Sequence, residues 1–293
     1  MKILISDAFD PSLPDKLKGF GEITDDKDQM SEVDVVLVRS KTKCDRDYID
    51  RAKNLRLIIR GGVGLDNIDV DYARSKGIQV FNTAEASAVA VAELAFALML
   101  AVPTRLVEGH LGMVERKWLK KELKRTELRG KTLGLVGAGN IGTELARRAI
   151  GFGMRVVAYD PLLKSHELVD LVTMEELLAL SDYISLHVPL TDETRGMINR
   201  ETIEAMRDGV VIVNTARGKC VNEADMVEAL RSGKARAYAT DVWYSDPPDA
   251  ECVLYDAPNV IMTPHLGASS RENMLRIGDI IVRILEDFVQ HTA

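Results

Sequence analysis

Cysteine is scarce in this chain of 293 residues, and the three cysteines, Cys44, Cys220 and Cys252, lie far apart. They form no C-x-x-C pair, so neither a disulfide framework nor a zinc site is predicted, and no metal is expected. Thiols used this sparingly are typical of a reducing compartment, and we expect a cytoplasmic protein.

The sequence also lacks a clear membrane span and an excess of positive charge. Its most apolar run, residues 86–102, contains Glu93 and falls just short of the length that a bilayer requires, so it predicts a buried helix. The first residues, Lys2–Ser6, already have the pattern of a strand, and we expect no signal peptide. A net charge of −7 argues against a general nucleic-acid partner. We therefore expect contacts with neither a membrane nor a nucleic acid.

Short apolar strands alternate with helices along most of the chain, and such alternation predicts parallel sheets covered on both faces. The strand candidates are Lys2–Ser6, Val35–Val38, Leu57–Arg60, Ile78–Phe81, Thr132–Val136, Arg155–Tyr159, Tyr183–Leu186, Val210–Asn214, Ala235–Asp241 and Val260–Met262. A long helix runs from Ala86 to about His110 and can break near Pro103, and a last amphipathic helix starts at Ser269. We expect an α/β protein with two doubly wound parallel-sheet domains, residues 1–98 plus 270–293 and residues 99–269.

A glycine-rich turn follows the strand Thr132–Val136 and has the pattern G-x-G-x-x-G, with glycines at Gly137, Gly139 and Gly142. The first glycine permits a tight turn, the second lets a pyrophosphate approach the backbone, and the third lets helix and strand pack closely. The alternative is a glycine-rich turn in some other α/β protein. The preceding strand, the following helix and the second strand all fit the motif, so we predict dinucleotide binding.

An acidic residue, Asp160, ends the strand Arg155–Tyr159, about twenty residues after the glycine turn, as the dinucleotide motif requires. Its carboxylate would bond a ribose 2′-hydroxyl and would repel a 2′-phosphate. The sequence therefore predicts NAD rather than NADP.

Three polar stretches follow later strands, at residues 214–218, 241–247 and 263–268, where a doubly wound sheet binds ligands. Hydride transfer to a 2-keto acid needs a cation for the carboxylate, a proton donor and a group that tunes the donor. Arg217 can be the cation, His265 the donor and Asp246 its partner. Each could instead be a surface arginine, a satisfied histidine or a helix-capping aspartate. Their convergence beside a dinucleotide site favours catalysis.

Two further segments leave alternatives open. Residues 60–69 carry Gly61, Gly62 and Gly64 directly after a strand, and their N–H groups can hold an anion or merely form a tight turn. The basic run Arg116–Arg125 is either a solvated face or an arm that reaches a second subunit or an anion.

Along nearly its whole length the chain resembles the D-isomer-specific 2-hydroxyacid dehydrogenases. The pieces that carry the resemblance are residues 60–69, 90–93, 131–142, 185–190, 214–218, 241–247 and 264–269. Within the family, Val38-Arg39-Ser40, Arg60, Lys117-Trp118 and residues 264–269 look most like the phosphoglycerate dehydrogenases. The resemblance implies a Rossmann-type NAD domain, a flavodoxin-like substrate domain and a homodimer joined through the NAD domains.

The resemblance also implies residue roles. Arg217, Asp246 and His265 match the catalytic arginine, acid and histidine. The substrate carboxylate would lie on Gly62, Val63 and Gly64, and its phosphate on Arg39 and Arg60, with Lys120 or Lys121 of a partner subunit as further candidates. The residues matched to NAD binding are Gly137, Gly139, Asn140, Ile141, Gly142, Asp160, Val188, Pro189, Thr215, Ala216, Asp241 and Gly267.

The chain departs from the family pattern at two of these positions. Asp246 stands where the family usually has glutamate, and Asn140 where it usually has arginine. We also expect no C-terminal regulatory domain after Ala293 and hence no serine feedback through one.

The implied reaction is NAD-dependent oxidation of D-3-phosphoglycerate to 3-phosphohydroxypyruvate, which opens serine biosynthesis. The alternatives are a glyoxylate or hydroxypyruvate reductase of the same family and a non-catalytic NAD-sensing interaction protein.

Overall fold

The computed structural model describes residues 1–292, which form two compact units. The first contains Met1–Ala90 and the segment that starts at Ala268, and the second is Val91–Gly267. The sequence placed these boundaries at residues 98 and 270.

Strands and helices alternate in both units. The strands are β1 (Lys2–Ile5), β2 (Glu22–Thr24), β3 (Val35–Val38), β4 (Leu57–Arg60), β5 (Gln79–Asn82), β6 (Thr132–Val136), β7 (Arg155–Tyr159), β8 (Asp170–Leu171), β9 (Tyr183–Leu186), β10 (Val210–Asn214), β11 (Ala235–Thr240) and β12 (Val260–Met262). The helices are α1 (Leu13–Leu17), α2 (Arg46–Arg51), α3 (Val70–Ser75), α4 (Ala84–Thr104), α5 (Leu106–Val114), α6 (Asn140–Gly151), α7 (Met174–Leu180), α8 (Arg200–Ala205), α9 (Glu223–Ser232) and α10 (Arg271–Thr292).

The sheet of the first unit is parallel throughout and has the strand order β2-β1-β3-β4-β5. This is the flavodoxin-like order, in which the connections reverse direction between β1 and β3. All four residues of β3 are buried, as expected for a strand covered on both faces. Helix α10 packs on one face through Ile277, Ile281 and Leu285, which recur every four residues.

The second unit has a seven-stranded parallel sheet of order β12-β11-β10-β9-β6-β7-β8. Counted from β6, this is the 3-2-1-4-5-6 order of the Rossmann fold with one strand added, and the connections reverse between β6 and β9. Both sheets confirm the predicted fold class. The order brings the carboxyl ends of β6, β9, β10 and β11 to one edge.

Helix α4 is the one helix of residues 1–292 that is long and apolar enough to cross a membrane, and 61% of its apolar window is buried within the protein. Ala92, Ala95 and Met99 belong to the main core of the second unit, as in a core helix of an ordinary domain. The predicted long helix ends at Thr104, because Arg105 is left-handed with φ 53°, and α5 starts at the next residue.

Candidate active site

The glycine turn lies at the switch point of the second sheet, between β6 and β9. Gly137 has φ 95°, and its N–H donates to the carbonyl oxygen of Tyr159 at 2.8 Å. A Cβ at Gly137 would come within 2.7 Å of the carbonyl oxygen of His187, and one at Gly142 would overlap the carbonyl of Gly137. Side chains are therefore excluded at both positions, which lets β6, β9 and α6 meet closely.

Helix α6 begins at Asn140 directly after this turn. Gly139 occupies the capping position, and no side chain caps the first turn of the helix. Gly139 is exposed, and a Cβ built on it would meet no atom within 4 Å, so the space beside it is open. The uncapped N–H groups around Asn140 and Ile141 and the positive end of the helix dipole suit a pyrophosphate. The residues present thus fit the phosphates of NAD.

Asp160 stands beside this turn, directly after β7. Its Oδ2 accepts from the Ala138 N–H and its Oδ1 from the Leu162 N–H, both at 3.0 Å. The two bonds fix the carboxylate at the rim of the turn. Each oxygen has a second lone pair, so the group can still accept hydrogen bonds from ribose hydroxyls.

The other residues matched to NAD follow β9 and β10. Val188 packs against the glycine turn, with its Cγ1 3.2 Å from the position of a Cβ on Gly137, and Pro189 is exposed beside it. Thr215 is 8% exposed, and within residues 1–292 its buried Oγ1 has no hydrogen-bond partner. An orphaned hydroxyl next to the buried Ala216 fits a ligand that would complete the bonding here.

Asp241, directly after β11, binds the loop that carries His265 through both oxygens of its carboxylate. The carboxylate is buried and accepts from the Thr263 hydroxyl at 2.6 Å, the Leu266 N–H at 2.7 Å and the Gly267 N–H at 2.8 Å. The structure therefore gives Asp241 a role that sequence reasoning missed: it fixes the turn on both sides of His265.

His265 and Asp246 form the pair that the sequence predicted. His265 Nδ1 lies 2.6 Å from Asp246 Oδ2, so aspartate reaches the imidazole although it is one methylene shorter than glutamate. The histidine side chain is 35% exposed and can still meet a substrate. His265 is left-handed, with φ 55°, a conformation that non-glycine residues adopt only when the surroundings impose it. The bonds from Asp241 to its neighbours supply that constraint.

Arg217 lies in the loop after β10. Its Nη1 donates to the carbonyl oxygen of Ala216 at 2.7 Å, and it precedes a short 3₁₀ turn at Gly218–Cys220. A Cβ at Gly218 would overlap the backbone of Trp243, so this loop packs directly on the start of the loop that carries Asp246. Arg217, Asp246 and His265 all belong to the second unit and follow the ends of neighbouring strands.

The anion-binding candidates of the first unit follow β3 and β4. The Gly62 N–H donates to Thr83 Oγ1 at 2.8 Å, and Asn82 Nδ2 donates to the Val63 carbonyl oxygen at 2.6 Å. A Cβ at Gly62 would overlap the Arg60 guanidinium, so that cation lies against the glycine loop. The Gly62 N–H is thus engaged, and Val63 and Gly64 carry the remaining N–H groups of the turn.

Arg39, directly after β3, is held by backbone on both sides. Its own N–H donates to Asp7 Oδ2 at 2.6 Å, and its guanidinium donates to the carbonyl oxygens of Ala8 at 3.5 Å and Ala268 at 3.3 Å. Burial lowers the pKa of Arg39, and the charge of Asp7 opposes that effect. Asp69, an acid close in sequence to Arg60, is paired with Arg46 at 3.1 Å.

The comparisons with known proteins show the family of this chain. A profile of "D-isomer specific 2-hydroxyacid dehydrogenase, NAD binding domain" matches residues 96–267. This chain belongs to the D-isomer-specific 2-hydroxyacid dehydrogenases. The resemblance seen in the sequence is confirmed, and the cofactor of this dehydrogenase is NAD.

Similar dehydrogenases differ in substrate. Hydroxypyruvate reductase of Thermotoga maritima is 50% identical over 260 residues, which cover 87% of this chain and 85% of that protein. D-3-phosphoglycerate dehydrogenase of Archaeoglobus fulgidus is 40% identical over 302 residues, 99% of this chain and 57% of that protein. The chain therefore spans little more than half the length of that relative. The solved structure of NAD-dependent formate dehydrogenase from Staphylococcus aureus in complex with NAD has a TM-score of 0.87 and 32% identity, and the match covers 100% of this chain and 97% of that one.

Proposed function

We propose that this dehydrogenase oxidises D-3-phosphoglycerate to 3-phosphohydroxypyruvate, the step that opens serine biosynthesis. The observation that carries the choice of substrate is the Arg60 guanidinium lying against the glycine loop of residues 62–64. A fixed guanidinium beside backbone N–H groups suits a substrate with two anionic groups. Val63 and Gly64 would hold the carboxylate, and Arg60 and Arg39 the phosphate.

The second unit supplies the groups for the proton and the carbonyl. Nδ1 of His265 is bonded to Asp246, which leaves Nε2 to accept the proton of the substrate hydroxyl. Asp246 favours the imidazolium that forms, and Arg217 would bind the carboxylate and polarise the oxygen at C2. NAD, when bound, supplies the acceptor for the hydride that leaves C2. In the reverse direction His265 would give its proton to the oxygen at C2 of a 2-keto acid, with the hydride supplied by NADH.

A hydroxypyruvate reductase is the second candidate. It is supported by the 50% identity to the Thermotoga maritima protein, most of whose length this chain covers. Such an enzyme would use Arg217, Asp246 and His265 in the same way and would need no phosphate contact.

Initial rates separate the candidates. 3-Phosphohydroxypyruvate, hydroxypyruvate and glyoxylate are each reduced with NADH and with NADPH. The proposal predicts the highest kcat/KM for 3-phosphohydroxypyruvate with NADH. A preference for hydroxypyruvate or glyoxylate would replace it by the second candidate, and no turnover of any acid would favour the non-catalytic NAD-sensing protein.

We also propose a homodimer joined through the NAD-binding units. Helix α5 and the segment that follows it expose large apolar side chains, with Leu111 at 53%, Val114 at 66% and Trp118 at 74% exposure. Monomeric proteins rarely leave such a patch uncovered. Lys120 and Lys121 follow it and are exposed, which suits their proposed contact with a substrate phosphate of the partner subunit.

A further inference from the structure

Asn214, the last residue of β10, has a completely buried side chain whose polar atoms are all bonded. Its Oδ1 accepts from the Ala216 N–H at 3.0 Å. Its Nδ2 donates to the Arg217 carbonyl oxygen at 2.9 Å and to the Tyr238 hydroxyl at 3.2 Å. An amide has two N–H donors, so both are used.

These bonds fix the backbone that carries Arg217. The chain leaves the sheet after Asn214 and forms a turn around the Asn214 side-chain amide. The amide oxygen accepts from the Ala216 N–H, and the amide nitrogen donates to the Arg217 carbonyl oxygen. The guanidinium itself bonds back to the carbonyl oxygen of Ala216 at 2.7 Å. The backbone of Arg217 and one nitrogen of its guanidinium are therefore both bonded within a turn that the Asn214 amide stabilises.

Tyr238 holds the amide from the neighbouring strand. β10 and β11 are paired, with Ile212 opposite Tyr238 and Asn214 opposite Thr240. Tyr238 is 1% exposed, and burial raises the pKa of its hydroxyl, which therefore stays neutral and can accept from Asn214. The Arg217 carbonyl and the Ala216 N–H decide which end of the amide is the nitrogen, and the Tyr238 hydroxyl holds that end from the neighbouring strand.

We propose that Asn214 is a positioning residue that sets the place of the Arg217 guanidinium, with Tyr238 holding its amide nitrogen from the neighbouring strand. The inference rests on the proposed role of Arg217 in binding the substrate. Displacing a binding group by about 1 Å can cost about a hundredfold in rate, so the loss of this turn should affect the reaction and not only stability.

A double-variant cycle tests the proposal. Asn214→Ala is made in the wild type and in Arg217→Ala, and kcat, KM for the 2-keto acid and Kd for NADH are measured. We expect kcat/KM to fall about ten- to a hundredfold in the wild type, mostly through KM. Thr215 and Ala216 lie in the same turn, so the rates are measured at saturating NADH and the Kd for NADH is determined separately. In the Arg217→Ala background the same substitution should cost less than about twofold, since the group that it positions is gone.

Equal fold-losses in the two backgrounds would overturn the proposal. Failure of the proposed role of Arg217 would look different, because Arg217→Ala alone would then keep wild-type activity. A wrong choice of substrate would show separately, as a preference of the wild type for hydroxypyruvate or glyoxylate. Should Asn214→Ala not fold, Tyr238→Phe decides: it keeps the ring and removes the acceptor. Tyr238→Phe should lower kcat/KM about three- to tenfold in the wild type and should leave it unchanged in the Arg217→Ala variant. Equal losses of kcat/KM in the two backgrounds would again overturn the proposal.

Asn199 provides a matched control in the same unit. Its Nδ2 donates to the Gly196 carbonyl oxygen at 2.9 Å and its Oδ1 accepts from the Thr202 N–H at 3.1 Å, so it bridges a turn in the same way. Asn199→Ala should lower Tm and leave kcat/KM unchanged. A comparable loss of kcat/KM in this variant would show that any weakened turn in the unit reduces activity and would overturn the specific role of Asn214.

Discussion

Nδ1 of His265 lies 2.6 Å from Oδ2 of Asp246, although the aspartate is one methylene shorter than the family's usual glutamate. The backbone makes the contact possible, since His265 takes a left-handed conformation in a loop held by Asp241. The loop thus holds the imidazole within hydrogen-bonding distance of the aspartate.

Removal of the imidazole should lower turnover heavily. A group that exchanges the reacting proton contributes about 10²–10⁴-fold to rate, so His265→Ala should lose activity in that range. The Kd for NADH should stay within about twofold, because the pyrophosphate and ribose would rest on the glycine turn and Asp160. Unchanged turnover would exclude His265 from the mechanism.

Replacement of the acid should lower the rate of reduction. The proton donor for a keto acid is the imidazolium of His265, which loses its anionic hydrogen-bond partner in Asp246→Asn. The kcat for reduction of the keto acid should therefore fall in this variant. Asp246→Glu keeps the charge and should retain most of the wild-type kcat, whereas equal kcat values for all three proteins would contradict the role of the pair.

Asp160 should decide between NAD(H) and NADP(H). Asp160→Ala removes the charge that would face a 2′-phosphate, so the ratio of kcat/KM for NADH over NADPH should fall. Asp160→Asn separates charge from hydrogen bonding, because it keeps one acceptor for the Ala138 N–H and loses the charge. A smaller ratio in both variants supports repulsion by the carboxylate, and equal use of both cofactors by the wild type would refute it.

Arg60 should act on phosphorylated substrates alone. Hydrogen bonds to charged groups contribute about 1.5–3 kcal/mol, so Arg60→Ala should raise KM for 3-phosphohydroxypyruvate about ten- to a hundredfold and leave that for glyoxylate almost unchanged. Arg46→Ala is the matched control, since that guanidinium pairs with Asp69 and lies over Tyr72. Equal impairment of both substrates in Arg60→Ala would favour the reductase.

His187 should make the protein less stable in mild acid. Burial lowers its pKa from 6.5 to about 4, Nδ1 is buried without a partner among the described residues, and Nε2 lies 2.9 Å from Ser185 Oγ. Between these pH values the unfolded chain binds a proton that the folded one does not. Stability is therefore fully present above pH 6.5 and falls toward pH 4, by about 2 kcal/mol at pH 5. Urea unfolding at pH 7.5 and 5 should show this loss, and His187→Gln should lack it.

The exposed face of α5 should hold two subunits together. Light scattering should give twice the mass of one chain, and Leu111→Glu with Val114→Glu should give a monomer, because burying two carboxylates at an apolar interface is costly. Lys53→Glu changes the charge of an exposed residue in the other unit and should leave the mass unchanged. A monomeric wild type would contradict the proposal.

Several elements could not be read from the sequence. β2 is three residues long and has no buried position, and β8 has two residues, so neither carries a strand pattern. The sequence placed a break of the long helix near Pro103; the break falls at Arg105, and an arginine does not itself predict a left-handed backbone.

The sequence by itself determined the fold class and the dinucleotide turn and predicted Arg217, Asp246 and His265 as the catalytic candidates, because each depends on local spacing or on short motifs at strand ends. Only the tertiary structure decided which groups hold them. The Asp241 carboxylate accepts hydrogen bonds from the N–H groups of Leu266 and Gly267. The Asn214 amide donates to the Tyr238 hydroxyl, and the Thr83 hydroxyl accepts from the Gly62 N–H. These partners lie about twenty or more positions apart in the chain. They meet because strand order and register bring their backbones together, and no local pattern of residues encodes that order.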